Sequence, residues 1–367
     1  MKRVALACAC LLSVACSTRS GETTTAQKAG PPNAEAVKLF VSGARELNTG
    51  QAKLLGRAEE LLRQAIAMDP NLWEAHYDLG IVLRRRGELD PACASLAKAH
   101  ELSAEAPEPI LALSECNYAR GEIDAAATLL SDFVKKNPGH IEARLAFAAV
   151  LRKQDDLDAA LAQAREVLVR NPNETRALVE VGRAYRAKKE ADVALLVLEK
   201  ARVIDEKSAP VQNELGLLAL ERGDTQLAFT HFEKASELDP KFASAHMNQG
   251  SVLLRAGDFE AAERAYRAAV SADPASNDAN IGLAIALRGR GQHKQAETLY
   301  ERVLEADPSA LDALFDLAVL RADFLDRRSD ALPLFEKYLK LAPKNDSHRE
   351  AAERYVQDIG MAKGGSQ

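Results

Sequence analysis

The sequence predicts an all-α solenoid, a stack of short helical hairpins that repeats along the chain. The first observation is a ladder of Asp-Pro and Asn-Pro pairs with a step of 34 residues. The second is a small residue, an alanine and a large residue at fixed places between successive prolines. Aromatic residues make up only 5% of a chain rich in alanine and leucine, which favours helices over sheets. A fixed step of this length indicates stacked supersecondary units.

The N-terminal leader has the layout of a secretory signal peptide, which we place at residues 1–15. Lys2 and Arg3 precede an apolar run that is too short to cross a bilayer as a helix. The run ends in the letters LSVAC at residues 12–16, which resemble a bacterial lipobox. That resemblance implies cleavage before Cys16 and lipidation of Cys16. The alternative is an ordinary signal peptide that is cut near Ala15, with Cys16 incidental.

A polar segment separates the leader from the repeats. Residues 17–34 are rich in Ser, Thr, Gly and Pro, a composition that favours disorder, so residues 16–34 are predicted to be a lipidated cysteine with a flexible tether. Beyond it the chain has only Cys93 and Cys116. A bridge between them is possible because they lie on neighbouring predicted helices, but we expect buried thiols that act as small apolar residues.

The body, residues 35–345, divides into nine units when each proline is taken as position 32, so that unit two spans Trp73 to Ala106. Position 8 is small, with Gly80, Gly182, Gly216 and Gly250 in four units and Ser114, Ala148, Ala284 and Ala318 in others. Position 20 is alanine in seven successive units: Ala92, Ala126, Ala160, Ala194, Ala228, Ala262 and Ala296. Position 24 holds Leu96, Leu130, Ala164, Leu198, Phe232, Tyr266 and Tyr300.

This pattern resembles the tetratricopeptide repeat (TPR) family, whose units consist of a first helix, helix A, and a second, helix B. The resemblance implies a right-handed superhelix of about nine helix-turn-helix repeats. We expect a capping helix at residues 346–361 and a disordered tail at 362–367. Two units depart from the pattern. The first has a longer gap between Gly43 and Ala58, and the last has one extra residue, which we place in the Asp323–Ser329 turn.

Simple physical reasons support each element of a unit. A small residue at position 8 lets helices A and B approach closely, and the alanine at position 20 does the same from the other side. A glycine such as Gly121 or Gly223 between the helices can adopt the left-handed conformation that ends a helix. The residue before proline disfavours the α conformation, which ends helix B.

The sequence gives no sign of catalysis. It has no P-loop, no GxSxG, no HExxH and no CxxC pair, and its seven histidines form no ligand-spaced set. We therefore expect no enzyme activity, no cofactor and no metal. His76 and His246 share position 4, where packing is the expected role. The net charge is −6 and basic residues alternate with acidic ones, so we expect no nucleic-acid partner.

The resemblance implies that positions 2, 5, 6, 9, 12 and 13 of each helix A line a concave groove. The predicted groove consists of apolar residues with polar edges, which suits a docked helix or peptide segment from a protein partner. Its residues are Tyr77, Ile81, Arg84, Arg85, Leu111, Glu115, Leu145, Arg152, Val179, Arg183, Arg186, Asn213, Leu217, Met247, Asn248, Ile281, Arg288 and Phe315. The alternative is that the charged ones only pair with each other across adjacent units.

These features together predict a non-enzymatic scaffold, an outer-membrane TPR lipoprotein that faces the periplasm and contacts the membrane through Cys16. By resemblance, such lipoproteins support the assembly of motility, pilus or secretion machinery. Ser17 after the lipidated cysteine, rather than Asp, favours the outer membrane under the usual bacterial sorting rule. The alternatives are an adaptor for cell-wall hydrolases or proteases and an exopolysaccharide export component. The oligomeric state does not follow from the sequence.

Overall fold

The computed structural model describes residues 32–364, and the regular secondary structure in this part of the chain is helical. The predicted signal peptide, Cys16 and nearly all of the tether lie outside the described residues. The helices are α1 (Ala34–Asn48), α2 (Leu55–Met68), α3 (Trp73–Arg85), α4 (Leu89–Leu102), α5 (Pro107–Ala119), α6 (Ile123–Lys136), α7 (Ile141–Lys153), α8 (Leu157–Arg170), α9 (Thr175–Ala187), α10 (Ala191–Ile204), α11 (Ala209–Glu221), α12 (Thr225–Leu238), α13 (Ala243–Arg255), α14 (Phe259–Ala272), α15 (Asn277–Gly289), α16 (His293–Ala306), α17 (Leu311–Val319), α18 (Arg328–Leu341) and α19 (Arg349–Gly364). Within residues 32–364, no helix is long and apolar enough to cross a membrane.

The helices alternate as helix A and helix B of nine successive units, which confirms the predicted all-α solenoid. From unit two onward, every helix A begins 34 residues after the previous one, from Trp73 to Leu311. Every helix B keeps the same step from Leu89 to His293. Each helix packs on the next along the chain, so the stack forms one elongated series of helix pairs.

The small residue at position 8 allows the close approach of the two helices in a unit. A Cβ added at Gly80 would lie 2.6 Å from Leu96 Cγ, and one added at Gly216 would lie 2.5 Å from Phe232 Cε1. Leu96 and Phe232 are both fully buried. Position 8 of helix A therefore packs directly against position 24 of helix B, and its small residue allows the close approach that the sequence predicts.

The turn between helices A and B depends on one residue with left-handed backbone. Gly87 has φ of 82°, and four glycines in the same slot of other units have similar values. Asp155 and Lys189 occupy that slot in units four and five with φ of 64° and 63°. Because a side chain raises the cost of this conformation, the turn geometry here is imposed by the packed helices on either side.

The end of helix B does not require proline. Asp69 ends α2 with its backbone N–H donating to Ala65 O at 2.9 Å. Ser103 and Asp205, which lack a following proline, end α4 and α10 with equivalent bonds of 3.0 and 2.9 Å to Ala99 and Ala201. The packed positions therefore keep the unit length even where the proline is missing.

The first and last units differ from the rest. In unit one, the additional residues form a loop with a 3-10 turn at Ala52–Leu54. In unit nine, our placement of the extra residue in the 323–329 turn was wrong in part. The end of helix A widens into a π turn at Leu320–Phe324, and Leu325 N–H donates to Leu320 O at 3.1 Å. The insertion thus begins within the helix, and the following turn keeps its left-handed residue, Asp326.

A disulfide joins Cys93 on α4 to Cys116 on α5, with the two Cα atoms 5.6 Å apart. Our expectation of buried free thiols was wrong. The repeat register brings the two side chains together at the junction between units two and three, and it buries both of them. The bridge therefore fastens one unit to the next.

Helix α19 covers the end of the stack, as predicted. It begins three residues later than expected and extends to Gly364, so part of the predicted tail is helical. The Tyr355 ring stacks on Phe335 of α18 at 4.6 Å, and the Tyr355 hydroxyl donates to Asp323. Residues 365–367 lie outside the described part of the chain.

Candidate partner-binding groove

All 18 predicted groove residues lie on helices A, which form the inner side of the stack. Helices A of neighbouring units contact one another directly along this side. The residues fall into three parts: an N-terminal part on α3 and α5, a middle part on α7, α9 and α11, and a C-terminal part on α13, α15 and α17. The parts differ in how many of their side chains are already buried or paired within the protein.

The N-terminal part presents apolar side chains. Tyr77, Ile81 and Leu111 are only half-buried. At the edge, Arg84 Nη1 donates to Glu115 Oε2 at 2.5 Å, and both side chains remain substantially exposed. Arg85 donates to the carbonyl of Leu47 at 3.0 Å. This part of the groove therefore combines an accessible apolar floor with a polar rim.

One carboxylate in this part has an unusual environment. Burial raises the pKa of Asp78 to about 6, and the positive charge of Arg85 offsets only part of that effect. Burial also raises the pKa of Glu74, one turn earlier on α3. A desolvated carboxylate without full compensation costs stability, and such groups are frequent at functional sites.

The middle part is filled by the protein itself. Leu145, Val179 and Asn213 are buried at 9%, 4% and 3% exposure. Asn248 of α13 donates its amide N–H to Asn213 Oδ1 at 2.7 Å. These predicted groove residues therefore form contacts between units, and little of their surface is available to a partner.

A ladder of ion pairs closes the same part. Arg183 donates to Glu180 at 2.6 Å and to Glu214 at 2.8 Å, and Glu214 is almost fully buried. Arg186 donates to Glu221 at 2.8 Å and lies 3.4 Å from Glu214. Burial by itself would lower the pKa of Arg183, but the adjacent carboxylates of Glu214 and Glu180 outweigh it and raise the pKa. Arg183 and Arg186 therefore pair with carboxylates of their own and adjacent units, which is the alternative role given to the charged groove residues above.

Arg152 extends the ladder toward the N-terminus. Its Nε atom lies 3.8 Å from Glu180 Oε2, within ion-pair range but beyond hydrogen-bond distance. The ladder thus runs from α7 through α9 to α11, across three successive units.

The C-terminal part is mixed. Leu217, on α11 at the end of the middle part, is half-buried, as is Met247 of α13. Ile281 is buried, and Arg288 Nη1 donates to Asp316 Oδ1 at 2.9 Å. The ring of Phe315 stacks on His348 at 4.6 Å. The segment before the capping helix therefore covers part of Phe315, which limits its use as a docking residue.

The histidines at position 4 have a structural role. His76 Nε2 lies 3.0 Å from the carbonyl of Pro70, and His246 Nε2 lies 3.1 Å from that of Pro240. Arg144 and Asn280, at the same position in other units, also donate to the proline carbonyl of the preceding turn. Among residues 32–364, no group of three or more His, Cys, Asp or Glu side chains could hold a metal ion.

The coiling of the stack creates one further concavity, a cavity of about 1250 Å³ between distant units. One wall is formed by the turn of unit two and the end of α5, and the opposite wall by residues of unit eight and the turns that flank it. Its lining carries both signs of charge, with Arg86 and Arg302 beside Glu88 and Glu305. This balance gives no preference for an anionic or a cationic ligand.

The sequence prediction missed one exposed surface. Leu196 and Val203 on the outer side of α10 are each 73% exposed, and Val169 on α8 is 77% exposed. Aligning the outward positions of helix B, and not only the core positions, would have revealed them.

Comparisons with known proteins agree with the architecture. The profile of the tetratricopeptide repeat family matches residues 53–107, 111–163, 145–209 and 213–277, and a second profile of the same description matches residues 253–317. Proteins with this repeat are generally scaffolds for protein–protein interaction, and no catalytic family is indicated. No curated protein is similar enough to count as a match.

Two solved structures share this fold at low identity, and a third matches about half of the chain. IFIT1 with m7Gppp-AAAA has a TM-score of 0.57 at 14% identity and covers 91% of this chain and 83% of that chain. The Cut9–Hcn1 complex of APC/C has a TM-score of 0.55 at 15% identity and covers 83% of this chain, which spans 58% of the matched chain. MamA of Desulfovibrio magneticus RS-1 has a TM-score of 0.42 at 22% identity, covering 47% of this chain and 97% of that chain. With family profiles matching well over half of its length, the chain belongs to the tetratricopeptide repeat family.

Proposed function

We propose that the protein is an outer-membrane lipoprotein whose TPR domain faces the periplasm and supports the assembly of an envelope complex. The observation that carries this proposal is the leader, in which a short apolar run ends in LSVAC at residues 12–16. In this proposal Cys16 bears the lipids and Ser17 directs the protein to the outer membrane. The tether then lets the repeat domain reach its partner.

The Cys93–Cys116 disulfide supports an envelope location. Disulfides persist in oxidising compartments such as the bacterial periplasm and are rare in the reducing cytosol. The bridge joins two helices of the repeat domain itself, so the domain is suited to an oxidising environment.

The anchor is tested by Cys16→Ala, with Cys10→Ala in the same leader as the matched control. Because only the residue after the cut accepts lipid, we expect Cys16→Ala to lose metabolic labelling by a palmitate analogue and to leave the membrane fraction. Cys10→Ala should keep both. Unlabelled parent protein, or membrane retention of Cys16→Ala, would refute the lipid anchor. Ser17→Asp should move the labelled protein to the inner-membrane fraction.

We propose that the N-terminal part of the groove is the main docking surface for a protein partner. Tyr77, Ile81 and Leu111 offer accessible apolar area, while the middle part is occupied by buried contacts. An extended peptide or a helix can lay apolar side chains on such a floor. The desolvated carboxylate of Asp78 provides a polar contact beside it.

A pull-down from detergent-solubilised membranes tests this surface. Tyr77→Ser combined with Ile81→Ser should lose the partner that the parent protein captures. Leu341→Ser, an exposed apolar residue outside helices A, is the control and should retain it. Charge reversal at Arg183 and Arg186 is unsuitable as a test of the groove, because both arginines form ion pairs with the buried Glu214. Equal capture by all variants would place the docking surface elsewhere.

The pathway is best addressed by gene deletion. Loss of pili, secretin multimers or motility would support the assembly role. Altered cell-wall turnover with intact machinery would favour the alternative, an adaptor for cell-wall hydrolases or proteases. Loss of secreted polysaccharide would favour an export component.

A further inference from the structure

The outer face of α10 differs from that of the other helices B, because it carries large apolar residues at both of two exposed positions. Position 22 of helix B is exposed in all of units two to eight, and it holds Ala94, Thr128, Ala162, Leu196, Thr230, Arg264 and Thr298. Position 29 is also exposed in each of them, and it holds Glu101, Lys135, Val169, Val203, Glu237, Ser271 and Glu305. Only α10 carries large apolar residues at both positions. The other helices B therefore serve as a reference for the residues expected on a solvent-exposed outer face.

The exposure of these side chains is unusual for the described part of the molecule. Four large apolar residues there are more than 70% exposed, and three of them are Val169, Leu196 and Val203. Val193, one turn before Leu196 on α10, is also exposed. Val193, Leu196 and Val203 lie on one stripe of α10, with Lys200 between the last two. We name these four residues of α10 the α10 stripe.

Helix α10 is apolar on its inner face as well. Ala194, Leu198 and Ala201 are fully buried against the neighbouring helices. A helix that is apolar on all sides is normally buried on all sides, whereas a surface helix has one apolar face. The three apolar side chains of the α10 stripe thus resemble a surface that another helix covers.

We propose that the α10 stripe is a dimer contact, in which α10 packs in parallel against α10 of a second copy around a two-fold axis along the helix. The spacing 193, 196, 200, 203 alternates steps of three and four, which is the spacing of a coiled-coil seam. Leu196 and Val203 then meet their own counterparts across the axis, as a two-fold contact requires.

The charges at the edges of the stripe favour this occupant and this direction. Asp192 and Glu199 lie on one edge of the stripe, where they pair with Arg222 and Arg202 of the same chain, and Lys200 lies within the stripe itself. In a parallel pair Lys200 faces its own counterpart, and Glu199 of each copy lies beside Lys200 of the other and offsets the like charge. In an antiparallel pair that places Val193 opposite Val203, Glu199 would face Glu199 of the second copy, while Lys200 would lie opposite Leu196. A lysine within the seam also fixes register and pairing number at some cost in stability.

The proposed contact between the two α10 helices extends over a single short helix, so we expect it to be weak. One helix of 14 residues spans roughly 21 Å at 1.5 Å per residue. Such a seam is smaller than a standard permanent interface, so we expect a reversible dimer. Because the stripe lies on a helix B, dimerisation leaves the groove on helices A accessible. The proposal depends on the repeat fold and not on the lipid anchor.

Cysteine cross-linking in the full chain in detergent tests both contact and direction. Leu196→Cys and Val203→Cys should each give a covalent dimer with a short bifunctional maleimide, because a parallel two-fold places like positions together. Thr230→Cys and Glu237→Cys occupy the same two positions on α12 and serve as matched controls. Efficient linking of a Val193→Cys chain to a Val203→Cys chain, with none at 196 alone, would instead show antiparallel pairing and overturn the proposal.

Sedimentation velocity gives an independent measurement. The parent chain should show a concentration-dependent dimer at tens of micromolar and above, and Leu196→Glu with Val203→Glu should remain a monomer. Thr230→Glu should behave like the parent. The double variant should keep its helical circular dichroism, since both side chains are on the surface. A parent chain that stays monomeric at several hundred micromolar, or a double variant that still dimerises, would refute the contact.

Discussion

Units two and five share one framework and use it in opposite ways. Both place glycine at position 8 against leucine at position 24, and a Cβ added at Gly80 or Gly182 would lie 2.6 or 2.7 Å from that leucine. In unit two, the inner side exposes Tyr77 and Ile81, and the outer side of α4 carries no large apolar residue at positions 22 and 29. In unit five, ion pairs close the inner side, and the outer side of α10 is apolar.

The difference shows which positions determine the fold and which remain available for function. The buried framework repeats because each unit must fit the next at the same distance. Inward and outward positions that face solvent or a partner can change without altering the stack, whereas those that contact the neighbouring unit, such as Glu214, cannot. Surface chemistry can therefore vary from unit to unit along a constant scaffold.

The largest expected effect is a difference in stability loss between a buried ion pair in the middle part of the groove and an exposed one in the N-terminal part. Glu214→Ala should destabilise the protein by roughly 3 kcal/mol, because it removes the buried carboxylate that both Arg183 and Arg186 contact, although each arginine keeps a second carboxylate. Glu115→Ala removes the exposed pair with Arg84 and should cost less than about 1 kcal/mol. Urea unfolding monitored by circular dichroism measures both. Similar losses in the free energy of unfolding of the two variants would mean that Glu214 is not buried in an ion pair as the structure shows.

The framework itself should respond equally in both units. Gly80→Val and Gly182→Val each force a side chain into packed leucine, at a cost of roughly 1–3 kcal/mol. Gly56→Ala on α2 is the control, since a Cβ there meets no atom within 4 Å, and it should be neutral or slightly stabilising. A strong loss in only one of the two valine variants, measured by the same unfolding assay, would contradict a shared framework.

The smallest expected effect concerns the groove of unit two. The pKa of Asp78 is raised to about 6, so its contribution to stability is fully present below about pH 4 and is lost as pH rises through 6. Asp78→Asn should therefore stabilise the protein by about 1–2 kcal/mol at pH 7.5, and the gain should disappear near pH 4. Melting temperatures at the two pH values provide the measurement. An equal gain in melting temperature at both pH values would contradict the raised pKa of Asp78.

The sequence predictions succeeded for the buried framework positions and were less accurate for the inward and outward positions. The packing positions 8, 20 and 24 were predictable because a fixed step of 34 residues leaves few other arrangements. The groove was predictable only as a set of positions. Val179 and Asn213 were assigned to it by register, yet both are buried, because the curvature of the stack decides how closely neighbouring helices A approach.

The amino-acid sequence by itself determined the unit length, the number of units and the pairing of small with large residues within each unit. These are local properties, since each unit contacts mainly its neighbours and the same contacts recur. The tertiary structure decided the Cys93–Cys116 bridge, the π turn at Leu320–Phe324 and the closure of the middle groove by Glu214. Each depends on distances and angles between units, which accumulate along the stack and are not encoded in any single repeat.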